Sequence, residues 1–107
     1  MHNVIYYHTK NNKCPFDEWF SSLDNSVQIR IIKRINRIYD NNFGDYKKID
    51  NDLYEMRFSY GAGYRIYYSI INNIIVILIS GGDKSSQPKD IQKAKEYLQD
   101  IKERYNG

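Results

Sequence analysis

Residues 52–60 read DLYEMRFSY, residues 64–70 YRIYYSI and residues 74–80 IIVILIS, with GAG at 61–63 between the first two. In the first stretch Tyr54, Met56 and Phe58 alternate with Glu55, Arg57 and Ser59. Successive side chains on a strand point to opposite faces, so this period predicts a strand with one apolar and one charged side. GAG predicts a turn. Beyond it Tyr64, Ile66, Tyr68 and Ile70 alternate with Arg65, Tyr67 and Ser69, which predicts a hairpin partner for the first strand. Asn72 and Asn73 suit a tight hairpin turn, because Asn tolerates positive φ. The run 74–80 is apolar on both sides and predicts a central or covered strand. If Tyr54, Met56 and Phe58 face helices, then Glu55, Arg57, Arg65 and Tyr67 collect on one open sheet face. Lys84 then sits just past the end of the following strand.

Outside this region the period is helical, except at HNVIYYH (2–8), whose alternation predicts a first strand. PFDEWFSSL (15–23) puts Phe16, Trp19, Phe20 and Leu23 on one side of a helix that Pro15 can start. Val27, Ile31, Ile35 and Ile38 mark a second helix over 26–41, with Asp24 or Asn25 as its cap. Arg30, Arg34 and Arg37 recur on another side of it, and NNFGD (41–45) stops it. Ile91, Ala94, Leu98 and Ile101 mark a third helix over 87–105, with Ser86 or Gln87 near its start. The expected order is β-α-α-β-β-β-α in a single domain, 1–107.

With 107 residues, a chain buries roughly two-thirds of its unfolded surface and needs no metal or disulfide to hold a core. Cys14 is the one cysteine, so no internal disulfide forms, which fits a reducing compartment. No apolar run approaches the ~20 residues of a membrane span, and residues 1–30 lack a signal-peptide pattern. A soluble cytoplasmic protein is expected. Lys and Arg number 16 against 13 Asp and Glu, a net +3 that favours an anionic partner only weakly. The 11 tyrosines serve a core, an interface or a base-stacking platform.

The stretch ISGGDKSSQPKD (79–90) ends its glycine pair with Asp83, Lys84 and Ser85. A phosphate-binding P-loop requires G-x-x-x-x-G-K-S/T; Asp83 interrupts that spacing and repels phosphate. The stretch reads as a strand exit and helix entrance, with Gly81 and Gly82 permitting the turn. GAGYR (61–65) precedes a strand, not the helix a dinucleotide fingerprint opens. His2 and His8 have no metal-ligand companions at suitable spacing, and Cys14 has no base beside it. No metal or cofactor is expected. The charged sheet face is either a solvated surface with a Glu55–Arg57 or Glu55–Arg65 ion pair, or a phosphate and RNA surface.

Several ordered motifs together resemble the RelE/ParE toxin superfamily of type II toxin–antitoxin modules, in its phage-derived, HigB-like branch. They are E-L/M-R at Glu55 to Arg57, G-x-G-Y-R at Gly61 to Arg65 and G-G-D-K-S-S/T-Q at Gly81 to Gln87. Upstream, Phe16, Trp19, Phe20 and Leu23, the run Arg30 to Arg37, and Gly44, Asp45 and Lys47 also match. The resemblance implies a RelE-like α+β fold with a small, mainly antiparallel sheet and helices packed on one face. It implies a toxin that cuts ribosome-bound mRNA without a metal and inhibits translation. Alternatives within the resemblance are a non-enzymatic, ParE-like inhibitor of DNA gyrase and a degenerate antitoxin-binding module. The implied partners are a small helix-turn-helix antitoxin, mRNA and the ribosome, with DNA reached only through the antitoxin complex and no membrane.

Family roles transfer residue by residue. Arg65 falls on the arginine at the scissile phosphate, Arg57 on the second basic position of the preceding strand, and Lys84 near a basic loop residue. Glu55 stands where the family has a cation and is a candidate general base. Lys84 or Tyr67 is a candidate for assisting the leaving group, and Asp83 and Asp90 are further acid or base candidates. Asp90 falls near the family's C-terminal tyrosine. Lys47, Lys48, Tyr67, Arg34 and Arg37 are the expected RNA contacts.

Overall fold

The computed structural model describes residues 2–106, with the backbone alone for Asn106; the two ends of the expected 1–107 domain lie outside the described residues. The elements are β1 (Asn3–Tyr6), α1 (Pro15–Ser21), α2 (Asn25–Ile38), β2 (Tyr46–Asp50), β3 (Leu53–Arg57), β4 (Arg65–Ile71), β5 (Ile75–Gly82), a 3-10 turn (Lys84–Ser86) and α3 (Gln87–Asn106). The five strands form one sheet in the order β1-β5-β4-β3-β2. β1 runs parallel to β5 and every other pair is antiparallel. The α+β class and the mainly antiparallel sheet are as the family resemblance implies.

Two expectations are corrected. β2 is an additional strand, absent from the expected order. Its sequence, YKKID, has no apolar alternation to announce it. It exists because β3 offers it a ladder, with Tyr46 opposite Met56 and Lys47 opposite Glu55. Lysines on such an edge strand discourage further pairing.

The second correction concerns the layers. Helices cover both faces of the sheet, not one. Phe16 of α1 and Ile31, Ile35 and Ile38 of α2 pack with Met56, Ile66, Val76 and Leu78. Ala94, Leu98 and Ile101 of α3 pack on the other side with Leu53, Tyr67, Ile77 and Ile79. β5 explains this arrangement. Its alternate residues contribute to the two cores in turn, so both faces carry apolar surface that must leave water. The face expected to be open is therefore largely under α3.

Local chemistry sets the connections. Asn72 and Asn73 adopt φ 53° and 60°, and the Ile74 amide donates to the Ile71 carbonyl at 3.1 Å. This is the turn expected of that dipeptide. Gly81 and Gly82 were expected in a turn, yet both belong to β5. They are glycines because other groups fill the space above them. A Cβ on Gly81 would stand 2.2 Å from the Trp19 ring, and one on Gly82 would stand 1.9 Å from Asp90 Oδ2. One glycine seats α1 and the other seats the start of α3. The far end of α3 is clasped to the exit of β1. There the Tyr7 hydroxyl donates to Asp100 Oδ2 at 2.6 Å, and Arg104 bridges Asp100 at 2.8 Å and the His8 carbonyl at 2.6 Å.

Gly81→Ala overpacks the Trp19 contact and is expected to cost about 1–3 kcal/mol. Urea denaturation checks this: the midpoint falls with an unchanged slope. An unchanged midpoint contradicts the packing account.

Candidate functional site

Strand register brings the charged residues into rows. Arg57 lies opposite Arg65, and Glu55 opposite Tyr67. Lys47 lies opposite Glu55 on the β2 side. Gly82 lies opposite Arg65, and Ser80 opposite Tyr67. Directly opposed residues share a face, so all of these belong to the face under the start of α3.

Two arginines directly opposite one another repel. The Glu55 carboxylate answers both. Glu55 is 0% exposed. Its Oε1 accepts a hydrogen bond from Arg57 Nε at 2.8 Å, and Arg65 Nε stands 3.7 Å from the same oxygen. Its Oε2 accepts from Gln87 Nε2 at 2.8 Å. The bond to Glu55 holds the Arg57 guanidinium more firmly in its charged form than usual. Exposure grades outward from this anchor: the Arg65 side chain is 13% exposed and that of Arg57 35%. Because Arg57 binds through Nε, the terminal amino edge of its fork is what solvent or a ligand meets.

Lys84 joins the pair through the GAG turn. Gly63 has φ 73°, and a Cβ there would stand 3.2 Å from Lys84 Cβ and 3.6 Å from Arg65 Nη1. Arg65 Nη1 donates to the Gly63 carbonyl at 3.0 Å, and the Lys84 amide donates to the Ala62 carbonyl at 3.2 Å. The turn is thus a bracket that seats the lysine stem beside the arginine. Asp83 closes the other side of the 3-10 turn by accepting from the Ser85 amide at 2.9 Å and the Ser85 hydroxyl at 2.5 Å. These bonds lower its carboxyl below the ordinary value, with the hydroxyl contributing most. Asp90 is half-buried over Gly82 and accepts from the Ser86 hydroxyl.

The expected residues divide accordingly. Glu55, Arg57, Arg65 and Lys84 come together, and Lys47 lies exposed on the same face at the β2 edge. Tyr67 is in the cluster but fully buried, so it is a floor rather than a surface contact. Among the described residues its hydroxyl has no hydrogen-bond partner. Burial first, then the Glu55 and Asp90 carboxylates, raise its ionisation above the ordinary tyrosine range. Lys48 points to the other face, opposite Tyr54. Arg34 is engaged within the fold: it donates to the Arg57 carbonyl at 2.9 Å and the Asp45 carbonyl at 3.1 Å, and its guanidinium lies 4.4 Å over the Phe58 ring. Arg37 is exposed on the same helix, across the sheet from Glu55. Gln87 was expected as the last residue of the G-G-D-K-S-S/T-Q motif and a residue near the start of the third helix, with no site role. Its contact with Glu55 spans 32 positions and carries no local sequence signal.

Among the described residues no three His, Cys, Asp or Glu side chains converge as a metal-ligand set. None of the described helices is long and apolar enough to cross a membrane.

The profile of the phage-derived Gp49-like protein family (DUF891) matches residues 18–106. The chain belongs to this family. Gp49-like proteins are associated with the toxins of toxin–antitoxin systems. The chain is also similar to an uncharacterised protein of Haemophilus influenzae, 44% identical over 87 residues that cover 80% of this chain and 88% of that protein. Every member of the Glu55 cluster lies within the span that defines this Gp49-like chain.

Tyr67→Phe removes a buried hydroxyl that has no partner among the described residues, so stability at pH 7 is expected to change by less than about 1 kcal/mol. The pH dependence has a definite sign. Above about pH 10 the unfolded tyrosine ionises while the folded one stays neutral, so the native state loses stability as pH rises. In Tyr67→Phe that alkaline fall is shallower. Urea titrations at pH 7 and above pH 10 check both. A large loss at pH 7, or an unchanged alkaline slope, contradicts the assignment.

Proposed function

We propose that this chain is the toxin of a toxin–antitoxin pair and a metal-independent endoribonuclease that acts on mRNA. The observation that carries this reading is the cluster itself. Arg57, Arg65 and Lys84 gather at one rim, ordered by a buried carboxylate and a glycine bracket. Such an array suits a phosphodiester whose charge grows during reaction. The resemblance to RelE- and HigB-like toxins directs the reading to mRNA on the ribosome, with a cognate antitoxin as the neutralising partner.

In the proposed reaction the RNA 2′-oxygen attacks the adjacent phosphorus and the bond from phosphorus to the 5′-oxygen breaks. The products are a 2′,3′-cyclic phosphate and a 5′-hydroxyl. Arg65 and Arg57 receive the non-bridging oxygens, since a guanidinium stays protonated and can bind phosphate through two donors. Lys84 stands at the same rim for the departing 5′-oxygen, and Lys47 holds a flanking phosphate. Glu55 is too deeply buried to take a proton from RNA, and each of its oxygens already accepts a hydrogen bond within the fold. Its role in this reading is to hold the arginines. Asp90 is the carboxylate assigned to the 2′-hydroxyl proton. It is half-buried, and it lies over the residue paired with Arg65.

Purified protein is expected to cut RNA, with ribosomes present, to a cyclic phosphate end. A single 2′-deoxy sugar at the cut site is expected to block the reaction. Arg65→Ala is expected to lower the rate by about 10²- to 10³-fold. Product mapping by sequencing and mass spectrometry checks this. Intact mRNA in growth-arrested cells, or undiminished cutting by Arg65→Ala, contradicts it.

A further inference from the structure

We propose that Gln87 is the positioning residue of this site: its amide fixes the Glu55 carboxylate so that one oxygen is left to both arginines. The inference rests on the ribonuclease reading for its kinetic consequence, and on geometry alone for the positioning.

The Glu55 carboxylate has two oxygens and three N–H neighbours, two of which donate hydrogen bonds to it. Gln87 Nε2 takes Oε2 at 2.8 Å. Arg57 Nε donates to Oε1 at 2.8 Å, and Arg65 Nε stands 3.7 Å from that oxygen, an ion-pair distance. A carboxylate with both oxygens free pairs most strongly with one guanidinium in a two-bond fork. That arrangement would draw Arg57 onto Glu55 and leave Arg65 without a counter-charge. The Gln87 amide blocks the fork by occupying the second oxygen. It donates without adding charge, and it stays neutral at every pH that RNA tolerates. A lysine there would alter the charge of the cluster, and an acid would repel Glu55.

Gln87 also ends the segment that carries Lys84. That segment is tied at its start by the Lys84 amide to the Ala62 carbonyl and at its end by Gln87 to Glu55. The same contact therefore sets the carboxylate and one boundary of the lysine-bearing turn. Gln87 itself does not need to reach RNA.

The test uses Gln87→Leu, which keeps bulk but has no donor, and Gln87→Glu, which keeps shape but adds a carboxylate. With an RNA that wild type cuts, Gln87→Leu is expected to lower kcat about 10- to 100-fold with KM changed less than about threefold. Gln87→Glu is expected to be equally poor at neutral pH. It is expected to recover relative to wild type toward about pH 5, where the added carboxyl binds a proton and again donates to Glu55. The Arg57 Nε–H resonance in nitrogen-15 NMR is expected to move in Gln87→Leu. A wild-type kcat in Gln87→Leu, or no acid recovery in Gln87→Glu, overturns the kinetic inference and leaves the ribonuclease reading intact. If wild type cuts no RNA, that reading fails instead. The NMR signal then decides: an Arg57 resonance unmoved in Gln87→Leu overturns the positioning, and a moved one upholds it.

Discussion

The structure turns on one carboxylate placed between two opposed arginines. A charge buried as deeply as Glu55 is costly unless its bonds are complete. Its hydrogen bonds come from Arg57 on its own strand and Gln87 at the start of α3, and Arg65 on the next strand stands within ion-pair distance. In turn the two arginines can share a row only because a negative charge lies beneath them. Removing Glu55 leaves like charges facing each other, while removing an arginine leaves a buried anion short of a partner. Each member therefore enforces the others, and the cations face outward in a fixed geometry.

The rest of the fold supplies the cover and the bracket. β5 is apolar on both sides, so the sheet needs a layer on each face. α3 provides the second layer and begins directly above Glu55. Gly82 permits the close approach of Asp90, and Gly81 permits that of Trp19 from the opposite side. The GAG turn brings the Lys84 stem and the Arg65 guanidinium to the same glycine, Gly63. Packing demands and the site are thus satisfied by the same few positions at the end of β5.

Much of this was legible in the sequence. The two-residue period through Tyr54, Met56 and Phe58 marked β3 and placed Glu55 and Arg57 on a common face. The same period marked β4 and placed Arg65. Asn72 and Asn73 marked the hairpin, and the helical stripes marked all three helices. β2 was hidden because its stability comes from pairing with β3, not from its own polar residues. The side on which α3 packs was hidden because an apolar stripe shows that a face is buried, not against what. Alternation assigned Glu55 to a face but could not show that the face was covered. Arg34 read as a surface cation because bonds to distant backbone carbonyls leave no pattern. Gln87 stands in the G-G-D-K-S-S/T-Q motif, but its bond to Glu55 was hidden for the same reason.

The central claim is that Glu55 makes Arg57 and Arg65 act as one phosphate-binding unit. A double-mutant cycle with Glu55→Gln and Arg57→Ala tests it most directly, read as affinity for an RNA blocked by a 2′-deoxy sugar at its cut site. The account predicts a coupling on the order of 0.5–3 kcal/mol, with Arg57→Ala weakening binding far less once Glu55 is gone. Additive losses, or a larger effect of Arg57→Ala without Glu55, would contradict it.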